Sequence, residues 1–456
     1  MKQLPALQLF VLLLLSSTAY SAANITCGQT ASVAGETYRL NGSCSINGST
    51  AITINASNVT LDCQGNSITG NNTVGAYGIN ATSLSNITIQ NCIIDAFGQG
   101  IRLTAVTDSV VNNTNISNNC TSCYGVYNEV SINCTYSNIN ITTYGSTSYP
   151  FYAISGRDQK VIGSLLNASG TTSYSYFRST NNAVLNNSRS YATSSGWYGY
   201  ADNGTVIENS TLHTYGASYS FSAQNNPGGV ANLTIRNCTL TGASTSATRA
   251  YLNYARNTLF EGNSIGYTSG IALRIYDSTG VTVRNQFLNG TLSLLQNSNI
   301  TMANLSTTPS LVITISSPYV DISNTSNSVL ANSTIYSAGL GVLRLGYNGI
   351  SCTGNTFYNN TLVGKGTTYV VQMFPNSSGN LLYWNNFTNI STGLYVNDTN
   401  GSNFYNSTEG NIWENVANGS IDIKGSANST GFPSLYVGSS GSGYPYSNAT
   451  SDCKIA

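Results

Sequence analysis

Asn58-Val-Thr-Leu-Asp62, Asn86-Ile-Thr-Ile-Gln90, Asn232-Leu-Thr-Ile-Arg236 and Gly280-Val-Thr-Val-Arg284 are versions of one phrase. A turn-forming residue is followed by apolar-x-apolar and then by a polar residue. Related copies begin at Asp108, Gly204, Asn257 and Asn299. Alternation with a period of two makes each copy a short strand with one face inward. Successive copies lie about 22 or 23 residues apart, with longer steps near 28, so one repeat is one coil whose turns tolerate insertions. That period is too short for propeller blades, and the fixed leucine frame of leucine-rich repeats is absent. What remains is a parallel β-helix, all-β, in which each coil pairs with the coils above and below.

Stacked in register, the columns of the repeat become ladders about 4.8 Å apart. Leu61, Ile89, Val111, Ile207, Ile235, Phe260 and Val283 form the inward column. The next position faces out and carries Asp62, Gln90 and Asn112, then Glu208, Arg236, Glu261 and Arg284, an alternating acid–base ladder. One further residue on stand Asn91, Asn113, Asn187, Asn209, Asn237 and Asn285, where the chain must turn. Asparagine tolerates the left-handed conformation, and its amide can bond to copies above and below. About sixteen coils over residues 51–410 would make a rod of about 75 Å. Residues 24–50 are expected to cap its start, and residues 411–456, rich in Gly, Ser and Tyr, to cap its end.

The phrase Asn86-Ile-Thr-Ile-Gln-Asn-Cys92, with its variant Asn232–Cys238, resembles the right-handed parallel β-helix repeat superfamily. The likeness is to surface proteins with carbohydrate-binding and sugar-hydrolase type repeats and to the periplasmic NosD-like proteins. Gly410-Asn-Ile-Trp413 and Gly443-Tyr-Pro-Tyr446 are similar to the terminal segment of such proteins. The resemblance implies a single-stranded solenoid and little about function, because this fold hosts lyases, hydrolases, epimerases, adhesins and phage spikes.

Residues 1–23 read as a signal peptide: Lys2, an apolar run from Leu9 to Leu15, and the small residues Ala19, Ser21 and Ala23. No second apolar stretch approaches the length of a membrane span, so no transmembrane anchor is expected in the mature chain. Sixteen basic and sixteen acidic residues make up only 7% of the chain, which excludes a nucleic-acid or anionic-lipid partner. About thirty Asn-x-Ser/Thr sequons are present. They serve as glycan acceptors or as the ordinary chemistry of β-helix turns. Ten cysteines in an exported chain point to disulfides. Cys27 and Cys44 are the best pair, and Cys120 or Cys123 is expected to bond with Cys134 or a neighbour.

Hydrolases on such a fold need clustered aspartates, and lyases need carboxylate-bound calcium with a basic residue. Here the acids are dispersed, without an Asp-Asp or Asp-x-Asp pair, and Glu208 and Glu261 alternate with arginines. His213, the sole histidine, reads as a solvated turn residue. No catalytic centre, metal or cofactor is expected. Ten positions before the Glu/Arg column lies an outward slot holding Arg102, Tyr176, Tyr198, Tyr251 and Arg274, with Arg178 and Tyr200 nearby. Such a stripe can engage sugars, or its tyrosines can simply stabilise one another across strands. Insertions near 145–155 and 222–230 are expected to flank it. The leading expectation is a secreted cell-surface scaffold or adhesion protein that contacts polysaccharide or cell-envelope glycans. The alternatives are a polysaccharide lyase or glycoside hydrolase, and a periplasmic ligand- or metal-handling protein.

Overall fold

A computed structural model describes residues 22–224, 229–244, 246, 248–266, 270–307, 320–338, 341–365, 367, 369–388, 394–398, 403–405 and 412–413. The chain winds as a parallel β-solenoid, with three short strands in a typical coil. Two strand ladders merge into one 31-stranded sheet, and the third strand of each coil builds a separate 16-stranded sheet. Among the described residues the one helical element is a single 3-10 turn, Tyr347–Gly349.

The repeat phrase supplies the first strand of each coil. Its apolar column runs unbroken from Leu61 through Ile89, Val111, Tyr136, Val161, Leu185, Ile207, Ile235 and Phe260 to Val283. All of these side chains are at most 1% exposed. Burying such a residue stabilises the fold by about 1.5–3 kcal/mol, so one column alone anchors the stacking of ten coils. The turn that follows is a column of left-handed residues, with φ 56° at Asn91, 47° at Asn113, 49° at Asn187 and 52° at Asn285. Where the column is not Asn it can be Gly, as at Gly163 and Gly262. Amide bonds tie the copies together: Asn113 Nδ2 donates to Asn91 Oδ1 at 3.4 Å, and Asn304 Nδ2 to Asn285 Oδ1 at 2.9 Å.

Residues 24–50 are wound in register with the coils that follow: Tyr38 lies beside Leu61, Thr30 beside Thr53 and Cys44 beside Ile68. Cys27 and Cys44 are bonded, with Cα atoms 5.7 Å apart, and Cys63 is bonded to Cys92. The expectation for Cys134 needs correction. Cys120 and Cys123 bond to one another, and Cys134 is a free, buried thiol. The two residues between Cys120 and Cys123 form a tight turn that brings their sulfurs together, whereas the Cys134 side chain points into the core. Residues 145–155 are no insertion either, because they contain the core strand Tyr149–Ile154. Of the segment expected to cap the end, Ile412–Trp413 pairs with Asn386–Phe387, and residues 414–456 lie outside the described residues, as do 1–21.

Candidate functional site

The outer face of the 16-stranded sheet is built by a recurring strand pattern. In Tyr124-Gly-Val-Tyr127 and Tyr149-Pro-Phe-Tyr152 the two tyrosines point out, while Val126 and Phe151 point in and are fully buried. The second position lies against the neighbouring ladder. A Cβ on Gly125 would sit 2.1 Å from the Ile141 side chain, so the close approach there requires glycine. Beneath the tyrosines, Phe177 stacks on Phe151 at 5.2 Å and on Trp197 at 3.7 Å, giving the face a packed aromatic floor.

Arg102, Tyr176, Tyr198, Tyr251 and Arg274 occupy one column of this face. Consecutive coils place Arg102, Tyr127, Tyr152, Tyr176, Tyr198, Ser222, Tyr251 and Arg274 side by side. A second column, three residues before Tyr127 and Tyr152 and two before Tyr176, adds Tyr124, Tyr149 and Tyr174. Ring centroids repeat at 5.0–5.3 Å along the rod. Ser222, fully buried, interrupts the column; Tyr219, on the same strand, stacks on Tyr251 of the next coil at 5.1 Å. Arginines flank the stack. Arg102 donates to the Tyr77 hydroxyl at 3.1 Å, and the Arg178 guanidinium lies 5.7 Å from the Tyr200 ring centre.

Tyr124–Tyr149 and Tyr127–Tyr152 stack face to face, with ring planes 13° and 7° apart, whereas Tyr176 is tilted by 40° against Tyr152 and 35° against Tyr198; all of these side chains stay partly exposed on the outer face. Burial within the stack pushes the phenols of Tyr124, Tyr149, Tyr152, Tyr176 and Tyr198 above the usual range, and that of Tyr251 up to about 12. All remain protonated donors at neutral pH. Further along the same column, Arg344 grips Asp321 with two bonds of 3.1 and 2.6 Å.

The acid–base column lies on the other sheet. Glu208, Arg236, Glu261 and Arg284 occupy four consecutive coils and resolve into two pairs. Arg236 Nε donates to Glu208 at 2.6 Å, and Arg284 Nε lies 2.7 Å from Glu261. His213 is not a turn residue: it sits within the strand Thr211–Thr214, half-buried, with Nδ1 2.9 Å from the Thr241 hydroxyl. Burial and, secondarily, Arg249 push its pKa down. Among the described residues no three His, Cys, Asp or Glu side chains lie together as a metal site would require, and no helix is long and apolar enough to cross a membrane.

The molecule is a parallel β-helix. No protein-family profile matches the sequence, and no curated protein does. Solved structures of similar architecture include the Streptococcus pneumoniae surface protein and adhesin PfbA, at 10% identity, a TM-score of 0.40 and coverage of 61% of this chain and 88% of that one. The tailspike of E. coli bacteriophage HK620, solved in complex with a pentasaccharide, is 12% identical with a TM-score of 0.46, over 78% and 74% of the two chains. An exopolygalacturonase from Thermotoga maritima is 9% identical with a TM-score of 0.33, over 77% and 84%.

Proposed function

We propose that this β-helix is an exported, non-catalytic rod that holds an extended glycan along its tyrosine face. The observation that carries this reading is the unbroken run Tyr127, Tyr152, Tyr176, Tyr198 with arginines at its flanks. Neutral phenolic hydroxyls repeat there every 5 Å on a rigid floor. A sugar polymer lying along the rod would present its own hydroxyls at a similar interval, and several weak contacts in line add to useful avidity. Arg102 and Arg274 at the ends, with exposed Arg178 beside the stack, add charge-assisted donors. Three disulfides fit an oxidising compartment. The absence of a catalytic step is inferred from how these acids are used: Glu208, Glu261 and Asp321 are each held in an ion pair by an arginine on the next coil, an arrangement that occupies their oxygens. A polysaccharide array read for both retention and release of reducing ends tests the reading. Retention without release supports it. Release of sugars would make the protein an enzyme, and no retention of any polymer would make the face purely structural.

A further inference from the structure

On the second ladder of the 31-stranded sheet, away from the tyrosine face, the chain forms a cleft of about 280 Å³ lined by Asn72, Asp95, Ala96, Ser117, Asn119 and Tyr144. Its floor is two residues in register, Asp95 and Ser117, at the outward position of adjacent strands. One wall is the turn after strand Ser67–Thr69, where Asn72 takes φ 58° and its side-chain carbonyl accepts the Asn119 backbone N–H at 3.0 Å. That bond joins residues 47 apart in sequence and bridges over the intervening coil, so the wall is fixed. The far wall is Tyr144, 53% exposed.

Asp95 sets the chemistry. It is half-buried, and no hydrogen bond or ion pair from another described residue reaches its carboxylate. Its other neighbour on the ladder is the uncharged Thr69. Burial pushes its pKa above the usual carboxylate range. Its lone pairs are thus partly desolvated, open to the cleft and available to a donor that enters it.

We propose that this cleft binds one neutral pyranose residue of a glycan. Asp95 accepts hydrogen bonds from two neighbouring sugar hydroxyls, the Asn119 amide and Ser117 hydroxyl supply the complementary donor and acceptor, and the Tyr144 ring covers the apolar C–H side of the sugar. Asp95 is the one charged group in the lining, so uronates, sulfates and phosphates are rejected. The volume falls below the usual range for drug-sized ligands, which suits a single ring. The cleft is open, which suits a terminal or branch residue of a longer chain. The inference does not depend on the tyrosine face.

The experiment is saturation-transfer NMR and calorimetry on the full protein with the methyl pyranosides of glucose, galactose, mannose and N-acetylglucosamine. Methyl glucuronide and tetramethylammonium are the comparison probes. At least one neutral pyranoside is expected to bind, and Asp95→Asn, which keeps shape and removes charge, is expected to weaken it about tenfold, as is Tyr144→Ala. Tyr198→Ala should leave this binding unchanged, which separates the cleft from the polymer-binding face. Unaltered thermal melts check that the variants fold. The proposal is overturned if no neutral pyranoside binds, if binding survives both cleft substitutions, or if tetramethylammonium alone binds through Asp95, which would make the cleft a cation site.

Discussion

Tyr127 and Tyr152 stand on adjacent coils with ring planes 7° apart and centroids 5.3 Å apart, face to face along the rod. Each ring in such a stack spends its π surface on its neighbours, and aromatic pairs of this kind contribute about 0.5–1.5 kcal/mol beyond their area. The tyrosine face therefore has two separable properties: ring stacking stabilises the coils, and the hydroxyls project outward. A substitution can remove one and leave the other.

The hydroxyls are expected to carry glycan affinity. Tyr176→Phe and Tyr198→Phe should preserve the melting temperature, because the tilted ring contacts at 5.0 and 5.3 Å remain, yet weaken polymer binding. Tyr176→Ala, Tyr198→Ala or Tyr251→Ala alone should lower both properties modestly, by about 0.5–1.5 kcal/mol each, and the triple alanine variant should bind almost no polymer. Array binding and thermal melts of the same preparations are the measurements. If the phenylalanine variants bind as the parent does, the hydroxyls are not the contact.

The ion pairs at Glu208–Arg236 and Glu261–Arg284 are expected to add little. Both arginine side chains are about half exposed, at 49% and 48%, where solvent screens the attraction and holding two long side chains costs entropy. Glu261→Ala should lower stability by about 1 kcal/mol or less, and by less still in high salt. Denaturant titration at two salt concentrations measures both. A loss of several kcal/mol would mean that the pair holds the coils together.

Much of this architecture is legible in the sequence because a solenoid converts a period into a register. The apolar-x-apolar phrase places Ile235 beside Phe260, and the following residues place Arg236 beside Glu261. Counting ten positions back from the outward column finds Arg102, Tyr176, Tyr198, Tyr251 and Arg274. The same count reaches Tyr127 and Tyr152 as well, but from Ser137 and Ile162, where the column carries neither the charge nor the amide of its other members. The count fails before Arg236, because Ser222, which stands in the column, lies more than ten residues back in the sequence. The orientation of the rings was not readable, since alternation specifies outward and says nothing about tilt. The Asp95 cleft was equally hidden. Asn72 and Asn119 meet because one turn is long enough to bridge a coil, and turn length breaks the period on which the reading depends.

The Cys27–Cys44 bond should hold the first described coil, whose strands Ala23–Ile25 and Gln29–Ala31 each pair with a single strand among the described residues. The chain-entropy estimate for a loop of this length is about 3 kcal/mol. Reduction is therefore expected to raise hydrogen exchange in Ala23–Ile25 and Gln29–Ala31, before strands in the middle of the rod respond. Uniform loosening along the chain would show that the coils unfold as one unit and that this bond has no local role.

Asp202 is expected to make the stability of the rod fall as pH rises. The side chain is 2% exposed. Its Oδ1 accepts the Thr180 backbone N–H at 3.0 Å and the Thr180 hydroxyl at 2.8 Å, while Oδ2 is buried with no hydrogen-bond partner. Desolvation dominates over the two Thr180 bonds and pushes its pKa up to about 8. In the unfolded chain an aspartate titrates near about 3.9. Below that value both states hold the proton and no penalty exists. Between about 4 and about 8 the unfolded chain releases it and the folded chain does not, so stability declines with pH, and the full cost, on the order of a few kcal/mol, is reached above about 8. Asp202→Asn keeps an oxygen to accept from Thr180 and cannot ionise. The variant should melt close to the parent at pH 4 and well above it at pH 9. Melting curves taken across that range decide the matter: a difference that stays constant with pH would show that Asp202 remains ionised in the fold.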